Sequence, residues 1–165
     1  VNRIREAAAH FALRDDSPLV DAGRYNPHLG SEDFLGTHPG ANGTLTADEP
    51  TDGSPATRWA AAEDAAYPVT LDIGFGTDTT FDQVSLDEYT DSGTNPRVRT
   101  FALQRWDTGT GTWVTFASRD TGIGHDLTVT GFGGVTTSLL RVAPTGKIAT
   151  EQYTPTTTEI AVYDG

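Results

Sequence analysis

Between residues 68 and 165 apolar side chains recur at every second position in short runs, and turn-forming residues separate the runs. "PVTLDI" at 68–73 puts Val69, Leu71 and Ile73 on one face, and "TFDQVSLDEY" at 80–89 puts Val84 and Leu86 on one face. "RVRTFALQRW" at 97–106 aligns Val98, then Phe101 and Leu103, a one-residue shift that predicts a bulge. "DTGTGT" joins this run to "WVTFAS" at 113–118 as a hairpin, and "DLTVTGF", "SLLRVA" and "TEIAVYDG" come after it. With "TLTAD" at 44–48, a period of two over short segments predicts about eight antiparallel strands. The implied fold class is all-β, an antiparallel β-sandwich of the jelly-roll type.

The amino-terminal part has a different texture. "RIREAAA" at 3–9 is the one convincing helical segment, and Pro18 and Gly23 break the chain beyond it. From 24 to 56 the chain is rich in Gly, Pro, Asn and Asp, with Tyr25, Leu29, Phe34, Leu35 and Leu45 as its few large apolar residues. So long an irregular stretch is unusual inside one domain, which places a junction near 40–43. Residues 1–43 are accordingly expected to be an irregular N-terminal extension or linker, and residues 44–165 the sandwich.

Composition narrows the partners. The net charge is −12, and Lys147 is the single lysine, so the chain lacks the clustered basic residues that neutralise phosphates; nucleic acid and anionic membranes are poor partners. No run approaches the roughly 18 apolar residues of a spanning helix. The absence of cysteine rules out a disulfide framework and a thiol catalyst. A start at Val1 suggests a mature product or a fragment. Catalysis finds no support. Asp15-Asp16 and Glu63-Asp64 are sequence neighbours, which point apart in an extended chain, no Gly-x-Ser-x-Gly elbow occurs, and His10, His28, His38 and His125 lack metal spacing.

The succession "TADEPTDGSPATRWAAA", "YPVTLDIG", "TFDQVSLDEY", "NPRVRTFALQRWDTGTGTWVTFAS", "TGIGH", "VTTSLLRVAP", "TEIAVY" resembles the discoidin, or coagulation-factor type C, family in its bacterial carbohydrate-binding form. The resemblance spans about residues 44–164 and is nearest to the modules of bacterial α-L-fucosidases, through "RVRTFALQRWD" and "TGIGH". Within residues 11–39, "FALRDDSPLVDAG" and "NPHLGSEDFLGTHPG" are similar to the last coil of right-handed parallel β-helix enzymes of polysaccharide breakdown; alternatively "SPLVDAG" is a first strand of the jelly roll. The resemblance implies a secreted, extracellular, non-catalytic module. Its partners would be a glycan ligand and the catalytic domain of a parent glycoside hydrolase or polysaccharide lyase. The alternative is a structural accessory domain that packs on its parent and binds no sugar.

The resemblance also implies a structural Ca²⁺ wrapped by the Asp-Gly loop, with Asp52, Thr57 and Glu159 as side-chain ligands and backbone carbonyls completing the shell. On the residues alone, Asp52 equally caps a turn and Glu159 is a solvated strand carboxylate. Sugar contacts fall on the loops at 60–67, 90–97, 119–126 and 145–157, with His125 and Arg97 leading and Glu63, Tyr67, Asn95 and Tyr153 beside them. Each has a plainer reading: Arg97 pairs with Glu88 across a hairpin, and His125 sits exposed in a turn. The Arg-x-x-x-Asn pair of galactose-specific modules is missing, since Phe101, Ala102 and Leu103 follow Arg97 and Arg99; this argues against galactose and leaves fucose, another neutral sugar or no sugar at all. Trp59, Trp106 and Trp113 are expected to pack rather than to present a sugar platform.

Overall fold

The computed structural model describes residues 49–63, 65–89 and 96–165. The expectations for residues 1–43, for a strand at 44–48 and for Asn95 lie outside the described residues. The rest is a two-layer sandwich in which every strand pairing is antiparallel. A 3-10 turn at Glu49–Thr51 leads to β1 (Trp59–Ala60), β2 (Leu71–Phe81), β3 (Gln83–Glu88), β4 (Val98–Asp107), β5 (Thr112–Arg119), β6 (Leu127–Val129), β7 (Val135–Lys147) and β8 (Thr156–Tyr163). One sheet has the order β1-β8-β3-β6 and the other β2-β7-β4-β5, four strands each. Among the described residues no helix is long and apolar enough to cross a membrane.

The period-two pattern becomes the core. Val84 and Leu86 of β3, Phe101 and Leu103 of β4, Leu140 and Val142 of β7 and Ile160 of β8 are buried between the sheets. Burying each such side chain is worth about 1.5–3 kcal/mol. Phe81 fills one part of this layer, with the rings of Phe75, Phe116 and Phe132 at 5.9, 6.0 and 6.3 Å in edge-on contact. Trp59 is buried in β1, and Trp106 and Trp113 are cross-strand partners with ring centroids 5.3 Å apart. All three tryptophans therefore pack. The Arg141 guanidinium lies 4.0 Å from the Trp113 ring centroid and binds Asp72 through two bonds of 2.6 and 2.7 Å.

The bulge expected in β4 is present: its register with β7 shifts between Val98 and Thr100 and again before Phe101. Pro144 of β7 lies opposite Phe101 at that irregularity, where a residue with no N–H to donate is tolerated. One element differs from the sequence reading. β2 continues past "PVTLDI" to Phe81, because "GFGTDT" stays in the strand with a register break between Gly74 and Thr79. β2 is an edge strand, and edges accommodate an irregularity of this kind, here with Gly76 at φ 75°.

The connection from β5 to β6 depends on Gly122, whose φ is 84° and whose N–H donates to Arg99 O at 2.8 Å. A Cβ at this position would stand 2.8 Å from Val98 O, so alanine meets backbone as well as left-handed strain. Gly111 in the β4–β5 hairpin has φ 66° but open space around it. Gly111→Ala should therefore cost about 1–2 kcal/mol, the left-handed penalty alone. Gly122→Ala should cost about 1–3 kcal/mol and exceed it, read as the difference between their urea midpoints.

Candidate functional site

β3 ends, β4 begins, β7 ends and β8 begins at one end of the sandwich, so the described residues within 61–70, 89–97, 120–126 and 148–155 share that end. Loops there present backbone N–H groups that no strand pairs. Glu88, the last residue of β3 and 0% exposed, supplies the acceptor. Its Oε1 accepts from the N–H groups of Arg97 and Val98, both at 2.8 Å, and its Oε2 from Gly124 N–H at 3.2 Å. In return, Glu88 N–H donates to Gly124 O at 2.9 Å. Burial pushes the Glu88 carboxyl above the usual glutamate range, while the three amides and the Arg97 charge pull it back in part.

The pairing of Arg97 with Glu88 thus runs through the Arg97 backbone. The guanidinium extends elsewhere: it is held by Thr156 Oγ1 at 2.7 Å and lies 5.4 Å from the Tyr89 ring centroid and 4.8 Å from that of Tyr153. Arg58 stacks on Tyr89 at 3.8 Å. Two guanidinium groups and two tyrosine rings therefore form one cluster at the loop end, and cation–π contacts of this kind are worth about 0.5–1 kcal/mol where solvent reaches them. Tyr153 is 50% exposed and Tyr67 37%; the third exposed large apolar residue among those described, Tyr163, lies at the far end of β8. Burial, and then the Glu88 charge, raise the Tyr67 hydroxyl above its ordinary value, which places Tyr67 within electrostatic reach of the clamp.

Of the residues expected to bind sugar, the structure joins Arg97 and Tyr153 directly, with Tyr67 nearby. Glu63 is exposed in the loop after β1. His125 follows Gly124 out of the clamp, but its Nδ1 lies 3.0 Å from Asp87 Oδ1. Asp87 precedes the inward-facing Glu88 and takes the outer face of β3, so the backbones of Arg97 and Gly124 converge on one carboxylate while the Arg97 and His125 side chains reach different partners. Sequence reasoning missed Arg58, Tyr89 and Thr156 as members of the cluster. Strand alternation carried a signal for the first, since Arg58 precedes the buried Trp59 and must face the other way.

The Asp-Gly loop is built around Asp52. Oδ1 accepts Ser54 N–H at 2.7 Å, and Oδ2 lies 2.7 Å from the Thr57 hydroxyl, which is also 2.9 Å from Ser54 O. Gly53, at φ 75°, lets the turn close and directs its N–H to the Glu159 carboxylate. Glu159 feels the charges of Asp52 and of its cross-strand partner Asp87. Glu49 Oε2, in the turn entering the loop, is buried without a hydrogen-bond partner. Two mutually repelling carboxylates, a hydroxyl and a turn carbonyl form an all-oxygen donor set, which suits a hard divalent cation. Among the described residues no group of three or more His, Cys, Asp or Glu side chains is arranged for a metal, so a cation here would draw on hydroxyl and carbonyl oxygens as well.

Fold and loops define a jelly-roll domain of the carbohydrate-binding-module type, a non-catalytic class. The chain belongs to the coagulation-factor type C, galactose-binding-like family: the model of the NedA-like, galactose-binding domain matches residues 50–142. No curated protein matches it. Among solved structures it is similar to SpGH29, at 28% identity and a TM-score of 0.63 over 76% of this chain and 25% of that one. It is also similar to chitosan-binding module 1 of a chitosanase/glucanase from Paenibacillus sp. IK-5, at 28% identity and a TM-score of 0.64 over 76% and 90% of the two chains. The family 32 module of NanJ from C. perfringens, solved with galactose, gives a TM-score of 0.65 over 76% and 90%; at 17% identity this likeness shows the fold alone. The chain spans about a quarter of the length of SpGH29.

Burial first, then the Asp52 charge, hold the Glu159 carboxyl above the usual glutamate range, with Asp87 adding to the rise and the Gly53 N–H opposing it. A raised folded-state pKa means that ionised Glu159 weighs against the fold. Its contribution to stability is fully present below the unfolded pKa of about 4.3 and is lost as pH rises through the folded value. In the presence of chelator, the melting temperature should carry a component that falls as pH rises through this window, and Glu159→Gln should remove that component. Identical pH profiles for the two proteins would refute the assignment.

Proposed function

We propose that this domain is a carbohydrate-binding module that tethers a secreted glycoside hydrolase or polysaccharide lyase to glycans carrying fucose or galactose. The observation that carries the reading is the cluster at the loop end: Tyr153, half exposed and backed by the Arg97 guanidinium, with Tyr67 on the same end. An exposed ring covers the C–H face of a pyranose, and directional polar groups beside it fix the orientation of the hydroxyls. Glu63, Asn95 and His125 are the further polar residues assigned to sugar. The chitosan-binding role of the Paenibacillus module supports a saccharide as the ligand class. The similarity to one quarter of SpGH29 supports a module within a longer chain, and the sequence resemblance to fucosidase modules supports a carbohydrate-active one. Contacts of this kind are weak singly. They serve by raising the effective concentration of substrate around a tethered catalytic domain.

A second reading has its own support. Arg97 is only 7% exposed and committed to Thr156, and the His125 ring is committed to Asp87. Polar groups already paired within the domain favour an accessory unit that packs on its parent enzyme and binds no sugar. Titration of fucose, galactose and a broad glycan panel, followed by NMR, separates the two. Sugar binding should perturb the resonances of Tyr153, Tyr67 and Arg97. His125→Ala should weaken binding by about 0.5–1.5 kcal/mol, the worth of one hydrogen bond, and lower the melting temperature only slightly, since its bond to Asp87 is solvent-exposed. Silence of these loops toward the whole panel would leave the accessory role as the better account.

The same proposal includes a structural Ca²⁺ held by Asp52, Thr57 and Glu159. A cation there would supply the positive charge that relieves the repulsion between the two carboxylates and would fix the loop that precedes β1. At a free concentration one hundred times its Kd, a ligand bound only by the folded state adds about 2.7 kcal/mol. Calcium should raise the melting temperature of the wild type, and Asp52→Asn should abolish the increment. A melting temperature indifferent to calcium and to chelator would remove the ion from this account.

A further inference from the structure

Among the described residues of the loops that carry the aromatic and cationic groups, relative placement rests on a short relay of polar bonds. Glu88 binds the amides at 97 and 98 with one oxygen and that at 124 with the other. Arg97 O then accepts Ile148 N–H at 3.0 Å, Ile148 O accepts Glu151 N–H at 2.9 Å, and Glu151 Oε1 accepts Tyr153 N–H at 2.9 Å. The β3–β4 and β5–β6 connections meet on the carboxylate itself, and the β7–β8 connection hangs on the residue that the carboxylate holds. We propose that Glu88 is the positioning residue of the glycan-facing loops, acting through their backbone amides and not on the ligand. The inference rests on the carbohydrate reading of this end of the sandwich.

The chemistry favours a carboxylate for this task. Two consecutive N–H groups converge on one oxygen and a third reaches the other, so every bond needs an acceptor, and an ionised carboxylate offers acceptors only. Glutamine supplies the same shape with one oxygen. Its amide can keep the Arg97 and Val98 bonds, but it then sets an NH₂ donor against the Gly124 N–H. Glu88→Gln should leave the pairing of β3 with β8 and β6 intact, since that ladder uses backbone groups, while the 122–125 segment loses its anchor.

Among the described residues, the charged and titratable groups within electrostatic reach of Glu88 are Arg97, whose guanidinium extends to Thr156 and the tyrosine rings, and Tyr67 from the loop before β2; His125, next to Gly124, turns its ring to Asp87. Acidification of the wild type should therefore shift the amide resonances of Arg97, Val98 and Gly124 together, with one common midpoint above the ordinary glutamate range. The His125 ring protons report their own titration separately. In Glu88→Gln the common transition should vanish, and affinity for the glycan bound by the wild type should drop roughly tenfold, the equivalent of one charge-assisted hydrogen bond. If the variant does not fold, the wild-type titration decides: amides that move with unrelated midpoints overturn the inference. A variant that keeps both wild-type affinity and wild-type amide shifts overturns it as well. A wild type that binds no glycan overturns the carbohydrate reading and this inference with it, whereas a wild type that binds beside an equally competent Glu88→Gln overturns this inference alone.

Discussion

Loops that close one end of a β-sandwich carry backbone donors that no strand pairs, and among the described residues three of them converge on one buried carboxylate, that of Glu88. Burying a charge is costly, and the raised pKa of Glu88 records that cost. The set of three amides offsets it, since those of Arg97 and Val98 would otherwise be buried donors without a partner and that of Gly124 a half-buried one. The described residues at 97–98 and 124 are thereby held in one arrangement. The cluster of Arg58, Tyr89, Arg97 and Tyr153 forms on that arrangement, because Arg97 leaves the clamp with its backbone fixed and its side chain extended to Thr156 and the rings.

The scaffold beneath the loops explains why a chain so rich in glycine and proline is rigid where it needs to be. Both sheets contribute inward-facing residues from nearly every strand, and the Phe81 ring is surrounded by three other phenylalanines. The outer face of the second sheet is tied by the Arg141–Asp72 pair and by the Trp106–Trp113 contact. Glycine serves the connections instead, with positive φ at Gly53, Gly111, Gly122 and Gly124. Rigid strands with specialised tips are the usual division of labour in domains that bind through their loops.

Charge is distributed to match. The chain carries −12 overall, yet two arginines gather with tyrosines at the loop end, while Asp52, Glu159 and Asp87 gather beside β8. The first group gives polar direction next to apolar rings. The second sets carboxylates against one another, and with burial this repulsion holds the Glu159 carboxyl above its ordinary range.

The sequence by itself determined the fold class, because a period of two in "VSLDE" or "FALQ" allows one face only to be apolar, and glycine-rich breaks fix where the chain reverses. It also determined that the tryptophans pack and that Asp52 opens a tight turn, both of which are local matters of side-chain size and of an Asx geometry. It ended a strand at Ile73 and left "GFGTDT" unassigned, whereas the structure carries β2 through it with a bulge, which only pairing with β7 reveals. Tertiary structure alone decided the site. Glu88 in sequence is one more carboxylate in an acidic chain, and nothing local shows that its oxygens will meet amides nine, ten and thirty-six residues away. Arg97 and His125 were legible as loop residues, but where their side chains end depends on Thr156, Tyr153 and Asp87, which arrive from other segments. Alternation is a property of neighbours along the chain; convergence is a property of the packed sheets, and only folding brings it about.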